Sequence, residues 1–189
     1  AFNSGATDAT GDVIYIDLGD GTSTGYDTGI TLLNNQKLLG QGVPLSATAG
    51  ITFPTHTRTL PAAATNPTLV TSNANSITLG SNNDVRGLTV GNTGTGTAIF
   101  GQPSFATLTV SDVTINGTGK ALDLVNGTML ATFDAISSTS STTEVVDVLA
   151  VEGLLTINGG NMSGATLNTV SIITNTGSFE ANFNGVTVG

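Results

Sequence analysis

The sequence of 189 residues contains no cysteine, no tryptophan and only one histidine, His56. Without cysteine the chain can form neither a disulfide scaffold nor a thiolate metal site, and it has no cysteine nucleophile. A single histidine likewise excludes a metal centre built from several imidazole ligands.

Charge is also scarce, and basic charge most of all. Charged residues make up 9% of the chain, against roughly 25% in an ordinary soluble domain. Thirteen acidic residues face four basic ones, which gives a net charge of -9; the basic residues are Lys37, Arg58, Arg86 and Lys120. Such a balance repels phosphate backbones and anionic lipid, so nucleic acid is not expected as a partner. No apolar run reaches the roughly 18 residues of a membrane span.

What the chain does contain favours strands and turns. It has 25 glycines, and threonine, serine and asparagine fill most polar positions. Threonine and valine suit a pleated surface, whereas glycine and asparagine suit tight turns. The chain begins with Ala1 and still alternates in strand fashion at residues 183–189. We therefore expect a segment of a longer, processed protein.

Three columns of recurring residues indicate the architecture. An aliphatic-Thr-aliphatic triplet recurs at residues 88–90, 113–115 and 186–188, and a second apolar column runs through residues 98–101, 121–124, 146–148 and 170–172. A third column is marked by Gly127, Gly153 and Gly177. The offsets of about 23 to 26 residues lie in the range of solenoid repeats. The sequence predicts an all-β, right-handed parallel β-helix, or β-solenoid, of about six to seven coils with three short strands per coil.

Period-two alternation also predicts which side chains point inward. The predicted inward set is Leu88, Val90, Val113, Ile115, Leu122, Leu124, Val146, Val148, Val170 and Ile172. In the N-terminal third, Tyr15 is predicted to point inward together with Val13.

The N-terminal third follows the repeat less regularly. Strands are predicted near residues 13–16, 30–32 and 36–42, and again at 68–70 and 76–79. The stretch 43–66 is rich in proline and threonine, and we interpret it as a loop that leaves one corner of the helix. Residues 1–189 are therefore predicted to form a single β-helix domain.

The segments 11–42 (GDVIYIDLGDG…GITLLNNQKLLGQG) and 83–93 (NDVRGLTVGNT) resemble pectin-lyase-like right-handed β-helices, specifically the coils of large bacterial surface proteins with β-strand repeats. The resemblance rests on structural residues. It implies the fold and a secreted or cell-surface setting, and it does not by itself imply an activity.

Asp123 and Asp147 are the candidate catalytic residues, because the repeat places them outward on successive coils. Paired carboxylates about 5 Å apart can serve a retaining glycosidase, and acids on such a face can hold Ca²⁺ in a lyase. The column ends at Phe100 and Ser171, and no lysine or arginine is expected nearby. A solvated acidic face without catalysis is the favoured interpretation.

Three further carboxylates, Asp17, Asp20 and Asp27, lie in a glycine-rich turn and are candidate Ca²⁺ ligands. Their spacing matches neither an EF-hand nor a glycine-rich nonapeptide repeat, so a plain turn is favoured and no cofactor is expected.

The letters Gly21, Ser23 and Gly25 match the G-x-S-x-G nucleophile elbow, with Asp27 and His56 further on. That elbow needs a strand-to-helix turn, and nothing after Gly25 has helical periodicity. A polar corner is therefore favoured over a serine hydrolase.

The outward threonines also suggest an ice-binding ladder. The predicted column runs through Thr89, Thr114, Ala135, Met162 and Thr187, so it is interrupted twice. General β-propensity is the favoured explanation of these threonines.

Three function hypotheses follow. The first is a non-enzymatic extracellular structural or adhesive β-helix, a stalk, adhesin body or filament subunit, that associates end to end or continues into further coils. The second is a polysaccharide lyase or glycoside hydrolase that uses Asp123 and Asp147. The third is a module that binds surface glycans or a receptor through the 43–66 loop without turnover.

Overall fold

The computed structural model describes residues 8–22, 27–45, 62–173 and 177–189. In these ranges the chain forms fourteen strands, and every strand pair is parallel. The strands are β1 (Val13–Ile16), β2 (Ile30–Thr31), β3 (Lys37–Gly40), β4 (Thr68–Leu69), β5 (Ile77–Thr78), β6 (Asn83–Val90), β7 (Thr97–Gly101), β8 (Ala106–Gly117), β9 (Lys120–Ser138), β10 (Val146–Ile157), β11 (Gly160–Met162), β12 (Val170–Ile173), β13 (Phe179–Phe183) and β14 (Val186–Val188).

The strands stack into a β-solenoid of about six turns, which confirms the predicted fold class. Each turn carries three faces, and long strands such as β9 bend from one face to the next. Face A comprises residues 30–31, 77–78, 97–101, 120–125, 146–149 and 170–173. Face B comprises residues 13–16, 37–40, 83–86, 106–110, 127–133, 151–157 and 179–183. Face C comprises residues 68–69, 88–90, 113–117, 135–138, 160–162 and 186–188.

The repeat length is set by the register between turns. Leu122 pairs with Ile99 of the preceding turn and with Val146 of the following one, 23 and 24 residues away. Parallel strands need a crossover connection, and such crossovers are right-handed in nearly all proteins. The predicted right hand of the solenoid agrees with that rule and stays a prediction.

The core is a continuous column of aliphatic side chains inside the solenoid. Of the ten residues predicted to point inward, eight are at most 3% exposed. The other two, Val170 and Ile172, are half-buried and pack against the same core. They belong to β12, which pairs with β10 alone among the described strands, so their exposure follows from their place in the last turn.

The prediction for Tyr15 is wrong. Ile16 lies in the main core and Ile14 packs against it, whereas Tyr15 and Val13 pack with Leu39 in a separate cluster. Because neighbouring residues of a strand point to opposite sides, the inward position of Ile14 and Ile16 forces the other two outward. Apolar alternation could not separate these two sets, since all four side chains are apolar.

Two predicted columns, the glycine column and the outward threonine column, are also wrong, because some of the residues assigned to them do not pair with one another. Gly127 pairs with Val151, while Gly153 pairs with Met129, so these glycines do not stack. Met162 pairs with Ser138 and is fully buried, and it therefore does not continue the outward threonine column.

The corner that leads into face B uses a left-handed residue in successive turns. Asn35, Asn82, Ala106, Asn126 and Ala150, one in each of five successive turns, all have φ between 52° and 63°. Asparagine tolerates this conformation better than other residues with a Cβ atom. The abundance of asparagine in the sequence thus has a geometric cause at this corner.

Strands resume in register after the 43–66 stretch. Lys37 of β3 pairs with Asp84 of β6, 47 residues further on, and Thr68 of β4 pairs with Thr89. The stretch therefore connects a strand of face B to a strand of face C. Residues 46–61, with His56 and Arg58, lie outside the described residues.

Truncation of Leu122 tests the packing of the core. Leu122 is fully buried between Ile99 and Val146, so Leu122→Ala should lower the free energy of unfolding by about 2 to 5 kcal/mol through lost transfer energy and a cavity. The matched control is Leu130→Ala, because Leu130 lies on the same strand with 58% of its surface exposed. Urea titration should show a small change for the control. Equal losses for the two variants would contradict the assigned faces.

Candidate functional site around Lys120

The two candidate catalytic residues are neighbours on face A. Asp123 of β9 pairs directly with Asp147 of β10, as the repeat predicted. Phe100 precedes them in the same column and Ser171 follows. The carboxylate column is therefore two residues tall, which also agrees with the prediction.

A lysine joins the two carboxylates, and the expectation that no basic residue lies nearby is wrong. Lys120 Nζ lies 3.2 Å from Asp123 Oδ2 and 3.5 Å from Asp147 Oδ2. It also lies 3.4 Å from Glu144 Oε2. Gln102 Nε2 donates a further hydrogen bond to Asp123 Oδ1. We call Lys120, Asp123, Glu144 and Asp147 the Lys120 cluster.

The register explains how one ammonium reaches three carboxylates. Lys120 and Asp123 belong to the turn of β9, whereas Glu144 and Asp147 belong to the next turn, each 24 residues further along. Turns are stacked about 4.8 Å apart, so the four-carbon lysine side chain spans the step between them. The Lys120 cluster thus links two successive turns through ion pairs.

The cluster is largely shielded from solvent, which strengthens its charge interactions. The side chains of Lys120 and Asp123 are each 13% exposed. Burial alone would lower the pKa of Lys120, but the charge of Asp123, their hydrogen bond and the charge of Asp147 outweigh it and raise that pKa. For Glu144, burial acts to raise the pKa, and hydrogen bonds from the backbone and from Lys120 outweigh it, so the pKa is lowered.

The position of Lys120 affects whether Asp123 and Asp147 could act as the two catalytic carboxylates of a glycosidase. A retaining glycosidase needs two carboxyl groups free to act on opposite sides of one glycosidic bond. Here an oxygen of each aspartate lies near the same ammonium. Catalysis by the pair would require the substrate to displace Lys120 from both partners.

A second stacked pair of acids lacks such a lysine in the described part of the chain. Asp112 and Asp134 lie at the corner between faces B and C on successive turns. Burial and the charge of Asp112 together raise the pKa of Asp134. The pKa of Glu144 is lowered instead, against the effect of its burial, by a backbone hydrogen bond and by its contact with Lys120.

Two of the three candidate calcium ligands, Asp17 and Asp20, are engaged in local turns. Asp17 Oδ1 accepts a hydrogen bond from the backbone N–H of Gly19 at 2.8 Å. Asp20 Oδ1 accepts bonds from the backbone N–H and the hydroxyl of Thr22, which lower the pKa of Asp20. Within the described ranges, no three acidic or histidine side chains, including Asp27, form a group that could hold a metal ion.

The residues of the G-x-S-x-G match cannot be placed together. Ser23 and Gly25 lie in residues 23–26 and His56 in residues 46–61, both outside the described ranges. Gly21 and Asp27 flank the first of these gaps.

Sequence reasoning missed Lys120 and Glu144 as partners of the aspartates, although a signal was present. The 24-residue offset that pairs Asp123 with Asp147 also carries Lys120 onto Glu144. Applying the offset to charged residues, and not only to apolar ones, finds all four members of the cluster.

Comparisons with protein-family models, with curated proteins and with solved structures find no match to this chain. In the described parts of the chain, no helix has the length and apolar character needed to cross a bilayer.

Replacement of Lys120 tests the cluster. Lys120→Met keeps most of the side-chain volume but leaves three carboxylates without their common partner, so it should lower the free energy of unfolding by about 1 to 3 kcal/mol at pH 7. Asp123→Asn combined with Lys120→Met should lose less than the sum of the single changes, since the two groups interact. Additive losses in urea titration would show that Lys120 and Asp123 do not stabilise each other.

The pH dependence of the same variant follows from the two pKa shifts. The folded pKa of Glu144 is lowered, so its contribution is present above about pH 4.3 and is lost as the pH falls through the folded value. The folded pKa of Lys120 is raised, so its contribution is present below about pH 10.4 and is lost above the folded value. The free energy of unfolding of the native protein should exceed that of Lys120→Met by a constant amount from about pH 5 to 9. This difference should decrease at lower pH and at higher pH.

Proposed function

We propose that the chain is a non-enzymatic structural β-solenoid of a secreted or cell-surface protein, serving as a stalk, adhesin body or filament subunit. The observation that carries the proposal is the Lys120 cluster. The only stacked outward carboxylates predicted to act in catalysis contact a lysine that ties one turn to the next. The geometry of these ion pairs supports a structural role, in which they stabilise the stacking of one turn on the next.

The continuity of the core supports the same role. Among the described residues, thirty-one buried hydrophobic residues form one cluster that extends from Ile16 to Met162. In such a repeat structure each turn contacts its neighbours alone, so length can be added turn by turn while the cross-section stays constant. This is the mechanical property that a stalk or filament requires. The resemblance to pectin-lyase-like coils of bacterial surface proteins agrees with this setting.

The last described turn has an unpaired strand edge. Strands β12, β13 and β14 each pair on one side only among the described strands. Ile173, Phe183 and Val188 are 53%, 38% and 53% exposed there. Unpaired backbone groups next to apolar side chains favour pairing with another strand. We propose that this edge pairs with a further coil or with a second copy of the chain, giving a rod.

Sedimentation velocity tests assembly through this edge. The 189-residue chain should associate as its concentration rises, and Thr187→Lys should weaken that association, because a lysine on an edge strand opposes pairing. The matched control is Thr156→Lys, since Thr156 points outward in a strand that is paired on both sides. A strict monomer at high concentration, or an equal effect of both variants, would contradict end-to-end assembly.

An activity assay separates the structural role from the alternatives. No turnover of acidic or neutral polysaccharides is expected, whether reducing ends or unsaturated products are measured. Turnover that disappears in the Asp123→Asn/Asp147→Asn double variant would establish the lyase or hydrolase alternative. Specific binding on a glycan array without turnover, lost on deletion of residues 46–61, would establish the glycan-binding alternative.

A further inference from the structure

The chain contains four Asn-Gly pairs, which begin at Asn116, Asn126, Asn158 and Asn184. In such a pair the backbone nitrogen of the glycine can attack the side-chain carbonyl carbon of the asparagine, because a residue without a Cβ atom restricts the approach least. All four asparagines are exposed, so exposure does not distinguish them. They differ in whether the backbone of the following glycine is held by strand pairing.

Two of these glycines lie in paired strands. Gly127 of β9 pairs with Ala106 on one side and with Val151 on the other. Gly117, the last residue of β8, pairs with Ser138. A glycine nitrogen in such a ladder can attack only after the local pairing opens, and that opening costs free energy. The first two Asn-Gly pairs are therefore protected while the chain is folded.

The other two pairs lie outside the strands, at the corner between faces B and C. Asn158 follows β10 and Asn184 follows β13, on successive turns. Among the described residues, neither the Gly159 N–H nor the Gly185 N–H has a hydrogen-bond partner. Each of these nitrogens can therefore approach the preceding side chain without loss of a backbone hydrogen bond.

Asn158 has a further feature that favours attack at its side chain. Asn184 Nδ2 donates a hydrogen bond to Asn158 Oδ1 at 3.0 Å. When a nitrogen adds to the side-chain carbonyl of Asn158, negative charge develops on that oxygen, and a donor that is already in place stabilises it. The next turn of the solenoid therefore supplies a donor directed at the reacting carbonyl.

We propose that Asn158 is a site of spontaneous deamidation. The Gly159 nitrogen forms a bond to the side-chain carbonyl carbon of Asn158, the proton of the Gly159 N–H passes through water to the side-chain nitrogen, and ammonia leaves. Water then opens the cyclic imide at one of its two carbonyl carbons, which gives aspartate or isoaspartate. Water is the only co-reactant. The proposal does not depend on the structural function proposed above, because the reaction involves one corner of the solenoid alone.

Deamidation extends a column of acids at this corner. Ile157 pairs with Phe133, so the residues that follow them, Asn158 and Asp134, are neighbours on successive turns. Burial and the charge of Asp112, one turn earlier, raise the pKa of Asp134. A carboxylate at position 158 adds a third negative charge to this column, and like charges at close range disfavour one another. The modified chain should therefore have a smaller free energy of unfolding at neutral pH.

Peptide mapping by mass spectrometry tests the proposal. The folded 189-residue chain and the same chain in denaturing urea are incubated at mildly alkaline pH, and conversion is followed at each Asn-Gly pair. In the folded chain Asn158 should convert about tenfold or more faster than Asn116 and Asn126, because opening a paired strand costs free energy. In urea the three rates should be similar. Isoaspartate should appear beside aspartate, since direct hydrolysis of the side chain gives aspartate alone.

Two variants test the geometry around Asn158. Gly159→Ala should fold, because an added Cβ atom meets nothing closer than 3.6 Å, and it should slow conversion about tenfold, because that atom restricts the approach of the nitrogen. Asn184→Ala removes the donor to Asn158 Oδ1 and should slow conversion severalfold. The matched control is Asn182→Ala, since Asn182 lies in the same turn but donates to Glu180. It should leave the rate unchanged.

Circular dichroism establishes that each variant is folded, and the comparison of folded with denatured chain needs no substitution. Equal rates at Asn158, Asn116 and Asn126 in the folded chain overturn the proposal. So does conversion of Asn158 in urea but not in the folded chain. A rate that Asn184→Ala leaves unchanged or raises overturns the role given to its hydrogen bond.

Discussion

Hydrogen bonding between parallel strands of successive turns is the constraint on which the rest of this structure depends. Each strand pairs with its equivalent one turn away, so a residue's neighbours are fixed by an offset of about 21 to 26 residues, as in Ala106 with Gly127 and Ile157 with Phe183. The offset is 47 residues where the 43–66 stretch intervenes, as in Lys37 with Asp84. Backbone groups that cannot reach water must be paired. Once the backbone pairing is set, the side chains form columns along the solenoid. The sequence determines which side chains each column contains, and the backbone pairing does not depend on that choice.

The chemistry of the surface follows from this stacking. Lys120 meets Glu144 and Asp147 because they lie one turn further on, although they are far away in sequence. The same rule separates the charged groups of faces A and B from face C, whose described strands carry no charged residue. Residues that are far apart in sequence are therefore brought together in columns along the faces of the solenoid.

The sequence predicted the architecture well because the apolar repeat and the register obey the same period. Leu122 and Val146 recur at one offset, and both are buried. The prediction failed where alternation carries no information, as at Val13–Ile16, where every side chain is apolar. It failed for Met162 because the turns do not all have the same length. An average offset that is applied over several turns therefore assigns a residue to the wrong position.

The candidate site was predicted in part. The neighbouring positions of Asp123 and Asp147 followed from the repeat, but Lys120 was overlooked because only outward aspartates were aligned. The energetic role of an ion cluster depends on burial as well as on proximity. The 13% exposure of the Lys120 side chain could not be read from charge spacing, since it depends on the packing of the folded chain around that side chain.

Disulfide trapping tests the central claim, the register between turns, most directly, because the chain has no cysteine of its own. Thr128 pairs with Glu152, and Cα atoms about 4.8 Å apart suit a disulfide. Thr128→Cys with Glu152→Cys should therefore form an intramolecular disulfide under mild oxidation, detected by mass spectrometry. Thr128→Cys with Leu154→Cys is displaced by two residues, which separates the Cα atoms by about 8 Å and should prevent the bond. Efficient bonding of the second pair and not of the first would contradict the register and every face assigned from it.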